Sequence, residues 1–153
     1  MQKYIIDGNN LIGKINKLQK LQRKDKQAVR EKVAFMIENY FRGRNIKLSL
    51  HFDGFQNVPI RTVSVKIIYS ENKTADERIK AEITASKNPR NITVITSDNN
   101  LREFARVCSA SVKSSEEFAA ELRRKDETDE EESRIRKINN VEDFKKIFKV
   151  KKQ

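Results

Sequence analysis

Asp7, Asp53 and Asp98 each close an apolar run, after Tyr4-Ile5-Ile6, Leu50-His51-Phe52 and Ile95-Thr96-Ser97 respectively. If those runs are parallel strands, their carboxyl ends lie along one sheet edge, and neighbouring strands bring the carboxylates together there. Asp76, in the first turn of a helix predicted from Thr74, would enter the same edge from the side. Two carboxylates about 4 Å apart repel by roughly 4 kcal/mol at an effective dielectric of about 20. A divalent cation is the simplest compensation. All-oxygen ligation suits Mg2+ or Mn2+, which keep several waters and bind alongside substrate phosphates.

Each aspartate also has a local explanation. Asp7-Gly8 and Asp53-Gly54 are common turn pairs, Asp98 can cap the helix after it, and Asp76 can complement a helix dipole. A turn or a cap, however, does not require the same strand-end placement around a sheet, so the shared placement favours a common site. For Glu77, a capping box with Thr74 is a sufficient role. Cys108 and His51 read as packing residues.

The rest of the composition narrows the chemistry. The only glycines are Gly8, Gly13, Gly43 and Gly54, and none has the spacing of a dinucleotide or P-loop phosphate cradle, so no nucleotide cofactor is expected. One histidine and one cysteine exclude a disulfide, a CxxC site and most His-based nucleophilic schemes. Hydrolytic chemistry would have to come from carboxylates. The lone Cys108 suits a reducing compartment, and Met1 leads into a strand rather than a signal peptide. No apolar run approaches about 18 residues. A cytoplasmic protein with no membrane partner is therefore expected.

With 33 basic and 22 acidic residues in 153, the net charge is +11. Because six of the acids crowd into 126–132, the remainder is more basic still. Such a field favours polyanions, and Lys and Arg contacts to phosphate supply most non-specific nucleic-acid affinity. Scattered lysines on solvated helices are the plainer explanation for part of it.

Positioning those aspartates requires alternating strands and helices, and the pattern supplies them. Lys3 to Ile6 reads as a buried strand followed by a polar turn at Asp7 to Asn10. Ala28, Val29, Val33, Phe35, Met36, Ile37, Tyr40 and Phe41 recur near 3.6 residues and predict an amphipathic helix ending around Gly43. Further strands are predicted over Ile46 to Phe52, Thr62 to Tyr69, Ile92 to Ile95 and Ala110 to Val112. Helices are predicted over Thr74 to Ser86, Asp98 to Cys108 and from a second capping box, Ser114 with Glu117, to about Arg124. The acidic run reads as a flexible linker, and Val141 to Val150 carries Phe144, Ile147 and Phe148 as an apolar stripe able to dock on a core. This order implies parallel strands with right-handed crossovers and helices on both faces.

At these residues the chain resembles the NYN branch of the PIN-like nucleases, close to the YacP-like bacterial group. The matching pieces are Tyr4-Ile5-Ile6-Asp7-Gly8-Asn9-Asn10, Phe52-Asp53-Gly54, Thr74-Ala75-Asp76-Glu77-Arg78-Ile79 and Val94-Ile95-Thr96-Ser97-Asp98, with Val112 to Leu122 resembling the segment after the last strand. The resemblance spans about residues 3 to 124. It implies a PIN-like three-layer α/β/α fold whose central parallel sheet of about five strands has the order 3-2-1-4-5. It also implies a ribonuclease site in which Asp7, Asp53, Asp76 and Asp98 surround one or two Mg2+ or Mn2+ ions and Asn10 orients Asp7 or a bound water. In one departure, Asn100 stands where PIN-type domains often carry a further acid.

The reaction so implied is hydrolysis of an RNA phosphodiester by metal-activated water, with endonucleolytic cleavage of single-stranded RNA expected. Arg78 and Arg102, in site-bearing helices, and Lys14 and Lys17 are candidates to position the phosphate backbone. Residues 1–125 would form the nuclease domain, 126–133 an acidic linker and 134–153 a basic C-terminal helix or tail. A ribosome or other ribonucleoprotein is an open alternative as presenter of the RNA. The competing class is a non-catalytic RNA-binding module of the same fold, which has no use for converging acids. A dehalogenase-type phosphatase needs an acid where Asn9 stands, and a receiver domain needs an acidic pair where Asp7 is followed by Gly8 and Asn9.

Overall fold

The computed structural model describes residues 1–151, with the side chains of 143, 144 and 146–151 outside that description. The expected docking stripe of Phe144, Ile147 and Phe148 therefore lies outside the described residues. Five strands, β1 (Gln2–Asp7), β2 (Ile46–Phe52), β3 (Val65–Tyr69), β4 (Ile92–Ile95) and β5 (Ser111–Lys113), form one sheet. All its pairings are parallel and its order is β3-β2-β1-β4-β5. The helices are α1 (Gly8–Ile12), α2 (Asn16–Gln22), α3 (Lys26–Tyr40), α4 (Ala75–Ala85), α5 (Asn99–Val107) and α6 (Ser115–Lys151). The fold is α/β, and the implied strand order is the one observed.

Strand alternation sends successive side chains to opposite faces, which builds a core on each side of the sheet. Ile6, Leu48, Leu50 and Phe52 pack with Leu11, Leu18, Val29, Val33, Ile37 and the Phe118 and Leu122 side chains of early α6. Ile5, Ile92 and Val94 face the other way, onto Ile79 and Ile83 of α4 and Leu101 and Ala105 of α5. Ile79 and Ile83 lie one turn apart, are wholly buried, and contribute about 1.5–3 kcal/mol each by burial. His51 is a buried residue of β2 bonded to Glu82 at 3.2 Å, as a packing role requires.

Three local differences from the sequence reading have physical causes. Asp7 to Asn10 does not form an open turn, because α1 begins directly at Gly8. β3 starts at Val65 rather than Thr62, since the Glu38 carboxylate accepts from the Val63 and Ser64 N–H groups at 2.6 and 2.7 Å and removes them from the ladder. Phe35 of α3 is half exposed, whereas Val29, Val33, Ala34, Met36 and Ile37 of that helix are buried.

The chain divides into two compact units, Met1–Leu122 and Arg123–Gln153. In the second unit the acidic stretch is helical, because α6 runs unbroken through 126–133 where a flexible linker is expected. Glu, Lys and Arg are good helix formers, and opposite charges four residues apart support the helix. Lys125 pairs with Asp129 at 3.2 Å and Arg136 approaches Glu132 at 3.9 Å.

Candidate active site

β1 is the central strand, so Asp7 at its end stands between the ends of β2 and β4. Asp7 pairs in register with His51, two residues before Asp53, while Ile6 pairs with Ile95, three residues before Asp98. The two asparagines after Asp7 bind these flanking strand ends. Asn9 Oδ1 accepts from the Asp53 N–H at 2.9 Å. Asn10 Oδ1 accepts from the Ser97 N–H at 2.9 Å and from the Ser115 hydroxyl at 2.6 Å. The Asp7-Gly8-Asn9-Asn10 segment therefore joins three strand ends and the start of α6.

Each carboxylate is held through one oxygen. The buried Thr96 hydroxyl donates to Asp7 Oδ2 at 2.9 Å and accepts from the Asp98 N–H at 3.1 Å, linking the two acids. Asp98 Oδ1 accepts from the Leu101 N–H at 2.9 Å, so its capping role is real. Asp53 Oδ1 accepts from the Ala75 N–H, the first residue of α4, also at 2.9 Å. The Asp53 and Asp98 carboxylates thus sit at the N-terminal ends of α4 and α5. Among the described residues no Lys or Arg pairs with Asp7, Asp53 or Asp98.

Burial pushes the Asp7 carboxyl above its ordinary range, against the bond from Thr96, and the charges of Asp53 and Asp98 raise it further. A carboxyl whose folded pKa is raised contributes stability in full below its unfolded pKa, and loses it as pH rises through the folded value. Asp7→Asn keeps an acceptor for Thr96 without the charge. The metal-free variant is therefore expected to melt near the wild type at about pH 4 and above it at neutral pH, at about 2–4 °C for each kcal/mol recovered. A thermal-melt series in chelator checks this. A variant less stable at neutral pH would contradict it.

The other expected site residues stand differently. Asp76 lies in the first turn of α4, but its Oδ2 pairs with Lys80 at 3.0 Å, and the Lys80 ammonium also donates to Asn100 Oδ1 at 3.2 Å. The Asn10 side-chain oxygen is committed to Ser97 and Ser115 rather than turned to Asp7. Glu77 completes the cap, its N–H donating to Thr74 Oγ1 at 3.1 Å. Arg78 donates to the Ser70 carbonyl at 3.3 Å. Arg102, early in α5, has a buried Nε with no partner among the described residues. Lys17 is an exposed residue of α2. Lys14 pairs with Glu116 at 3.1 Å.

Glu116 was not singled out from the sequence. It accepts from the Ser97 hydroxyl, and that bond, its own backbone N–H and Lys14 lower its carboxyl to about 2. Ser97 also accepts from the Ser115 N–H at 2.9 Å. An exposed acid thus lies beside the β4 end, and the available signal was the Ser-Ser-Glu-Glu segment after the last strand.

As a donor set, the cluster fits a hard cation held by one or two carboxylates and otherwise by water. Asp53 and Asp98 each use one oxygen in bonds to backbone N–H groups, which leaves the other for a cation or its waters. No group of three or more His, Cys, Asp or Glu side chains among the described residues is placed to hold a metal ion, so Asp7, Asp53, Asp76 and Asp98 do not stand together as a ligand set. Mg2+ commonly binds in this sparse way beside a phosphate.

The family model of the YacP-like NYN domain matches residues 4–152. Two solved structures, both of Rae1 (YacP) from Bacillus subtilis, have similar folds. One, of a mutant, is 29% identical with a TM-score of 0.67 over 92% of this chain and 85% of that one. The other is 25% identical with a TM-score of 0.70 over 96% and 87%. No curated protein matches the chain.

Proposed function

The chain belongs to the YacP-like NYN domain family, a PIN-like nuclease family, and from that premise we propose that it is a Mg2+- or Mn2+-dependent endoribonuclease acting on single-stranded RNA. The observation that carries this reading is the convergence of Asp7, Asp53 and Asp98 at one sheet edge, with no Lys or Arg among the described residues paired to them. Carboxylates left in that state repel a phosphate, and a site of this kind suits RNA when a cation stands between them. Asp7 with Asp53 or Asp98 would hold the cation, which when bound activates water and offsets charge on the phosphoryl and leaving oxygens.

The chain's own residues supply the frame for this reaction. Thr96 fixes Asp7 and Asp98 relative to each other, Asn9 and Asn10 hold the strand ends, and the Ala75 and Leu101 N–H groups at the helix starts anchor the Asp53 and Asp98 carboxylates. Asp76 is the accessory acid of the proposal, joining the set when Lys80 turns from it to a backbone phosphate. Arg78, Arg102, Lys14 and Lys17 supply positive charge near the site for positioning RNA without reading its sequence. The net charge of +11 suits free RNA and RNA presented by a ribosome or other ribonucleoprotein alike. Among the described residues no helix is long and apolar enough to cross a membrane, and a cytoplasmic setting is proposed from the single cysteine.

The sparse donor set and the Asp76–Lys80 pair favour one second reading, a non-catalytic RNA-binding module. End-labelled RNA incubated with the protein in Mn2+, in Mg2+ and in chelator separates the two. Internal cleavage in the cations, absent with chelator, is expected. RNA binding that is equal in chelator, with no cleavage under any condition, would establish the module instead.

A further inference from the structure

A cavity of about 580 Å³ opens between the loop at Phe55 and Gln56 and the outer strand β3, lined also by Lys66, Tyr69, Glu71 and Arg78. We propose that this cavity is a stacking subsite for the nucleobase next to the phosphate under attack, with the Phe55 ring as its platform; the proposal rests on the nuclease reading above. Phe55 is 58% exposed, although Phe52, three residues earlier, is wholly buried. The ring therefore adds nothing to the core that would account for an aromatic residue at this position.

The backbone beneath the ring is fixed from several sides. Arg30, only 4% exposed, donates from Nη2 to the Asp53 carbonyl at 2.7 Å and from Nη1 to the Phe55 carbonyl at 3.0 Å. Its guanidinium lies 5.4 Å from the Phe52 ring centre and 5.2 Å from that of Tyr69. The Gly54 N–H donates to Ser70 Oγ at 2.9 Å, and the Glu71 N–H donates to the Gly54 carbonyl at 2.8 Å. The loop is thus held to the end of β3 while the Phe55 side chain stays open to solvent. Such pre-ordering lowers the entropic cost of binding.

The occupant follows from distance and charge. Two residues of chain reach at most about 7 Å, so Phe55 lies within a nucleotide's reach of Asp53. Lys66 and Arg78 outweigh Glu71 around the cavity and suit the phosphates flanking a stacked base. Stacking on an aromatic ring tolerates any base, which suits a nuclease that positions RNA through its backbone.

The chain contains no tryptophan, so Phe55→Trp installs its single indole at the platform, excited selectively over the tyrosines. This variant is titrated with a short single-stranded RNA in Ca2+, with RNA integrity checked on a gel and binding followed separately by anisotropy of the labelled RNA. Saturable quenching that tracks the anisotropy is expected, and an abasic oligonucleotide of equal length should leave the emission unchanged. Phe55→Ala should weaken RNA binding about 5- to 100-fold and raise KM more than it lowers kcat, with Phe55→Tyr restoring both. Matching melting curves confirm that these surface variants fold. RNA that binds without quenching, together with a Phe55→Ala variant of wild-type KM, overturns the subsite and leaves the nuclease reading standing. A wild-type protein that neither binds nor cuts RNA overturns both.

Discussion

Asp98→Asn is expected to lower cation-dependent RNA cleavage by at least about a hundredfold while leaving the melting temperature within about 2 °C of the wild type. Asp98 has two separable tasks. Its Oδ1 caps α5 by accepting from the Leu101 N–H at 2.9 Å, and its charge belongs to the cluster around Asp7. Asparagine caps a helix about as well as aspartate, so the first task survives the substitution. The backbone bond from Asp98 N–H to Thr96 Oγ1 survives too, and with it the link to Asp7. Only the negative charge is removed. Asp98→Ala provides the contrast, since it also loses the cap and should cost about 1 kcal/mol of stability. Stability should therefore rank wild type and Asn together above Ala, while activity ranks wild type alone above both. An Asn variant that cleaves RNA at the wild-type rate would remove Asp98 from the mechanism.

The placement of Asp7, Asp53 and Asp98 at strand ends was legible in the sequence because the signal is local: an apolar run of strand length followed by an acid. Sheet order is a different kind of information. Nothing in the periodicity of Tyr4 to Ile6 makes β1 central; the order came from the family resemblance, and the pairings of β1 with β2 and β4 carry it. What escaped the reading is mostly long-range. Asn9 meets Asp53 44 residues away, and Asn10 meets Ser115 105 residues away, so neither bond leaves a trace in local spacing. The Glu38 bonds that delay β3 are of the same type, as is the meeting of Glu116 with Ser97. The Asp76–Lys80 pair and the helical acidic stretch were local and could have been weighed. Four-residue spacing favours both, and strand-end logic drew Asp76 toward the site while like-charge repulsion argued for a linker at 126–133.

Gly8→Ala is expected to destabilise the protein by about 1–3 kcal/mol or more and to depress cleavage beyond the loss of folded molecules. A Cβ at Gly8 would sit 2.5 Å from the His51 carbonyl oxygen and 2.8 and 2.9 Å from two carbons of the Phe52 ring. The oxygen is backbone in β2, an interior strand, and Phe52 is wholly buried, so neither neighbour can yield cheaply. Relief has to come from moving the start of α1 away from β2. Asp7 precedes this glycine directly and Asn9 follows it, and Asn9 holds the Asp53 N–H. The same displacement that relieves the clash therefore separates Asp7 from Asp53. At about 2–4 °C per kcal/mol, the melting temperature should fall by roughly 2–12 °C. Cleavage measured well below that temperature, where nearly all molecules are folded, should still be reduced. A Gly8→Ala protein with wild-type melting and wild-type cleavage would show that β1 and β2 have slack at their ends, and that the glycine's close approach does not set the spacing of the acids.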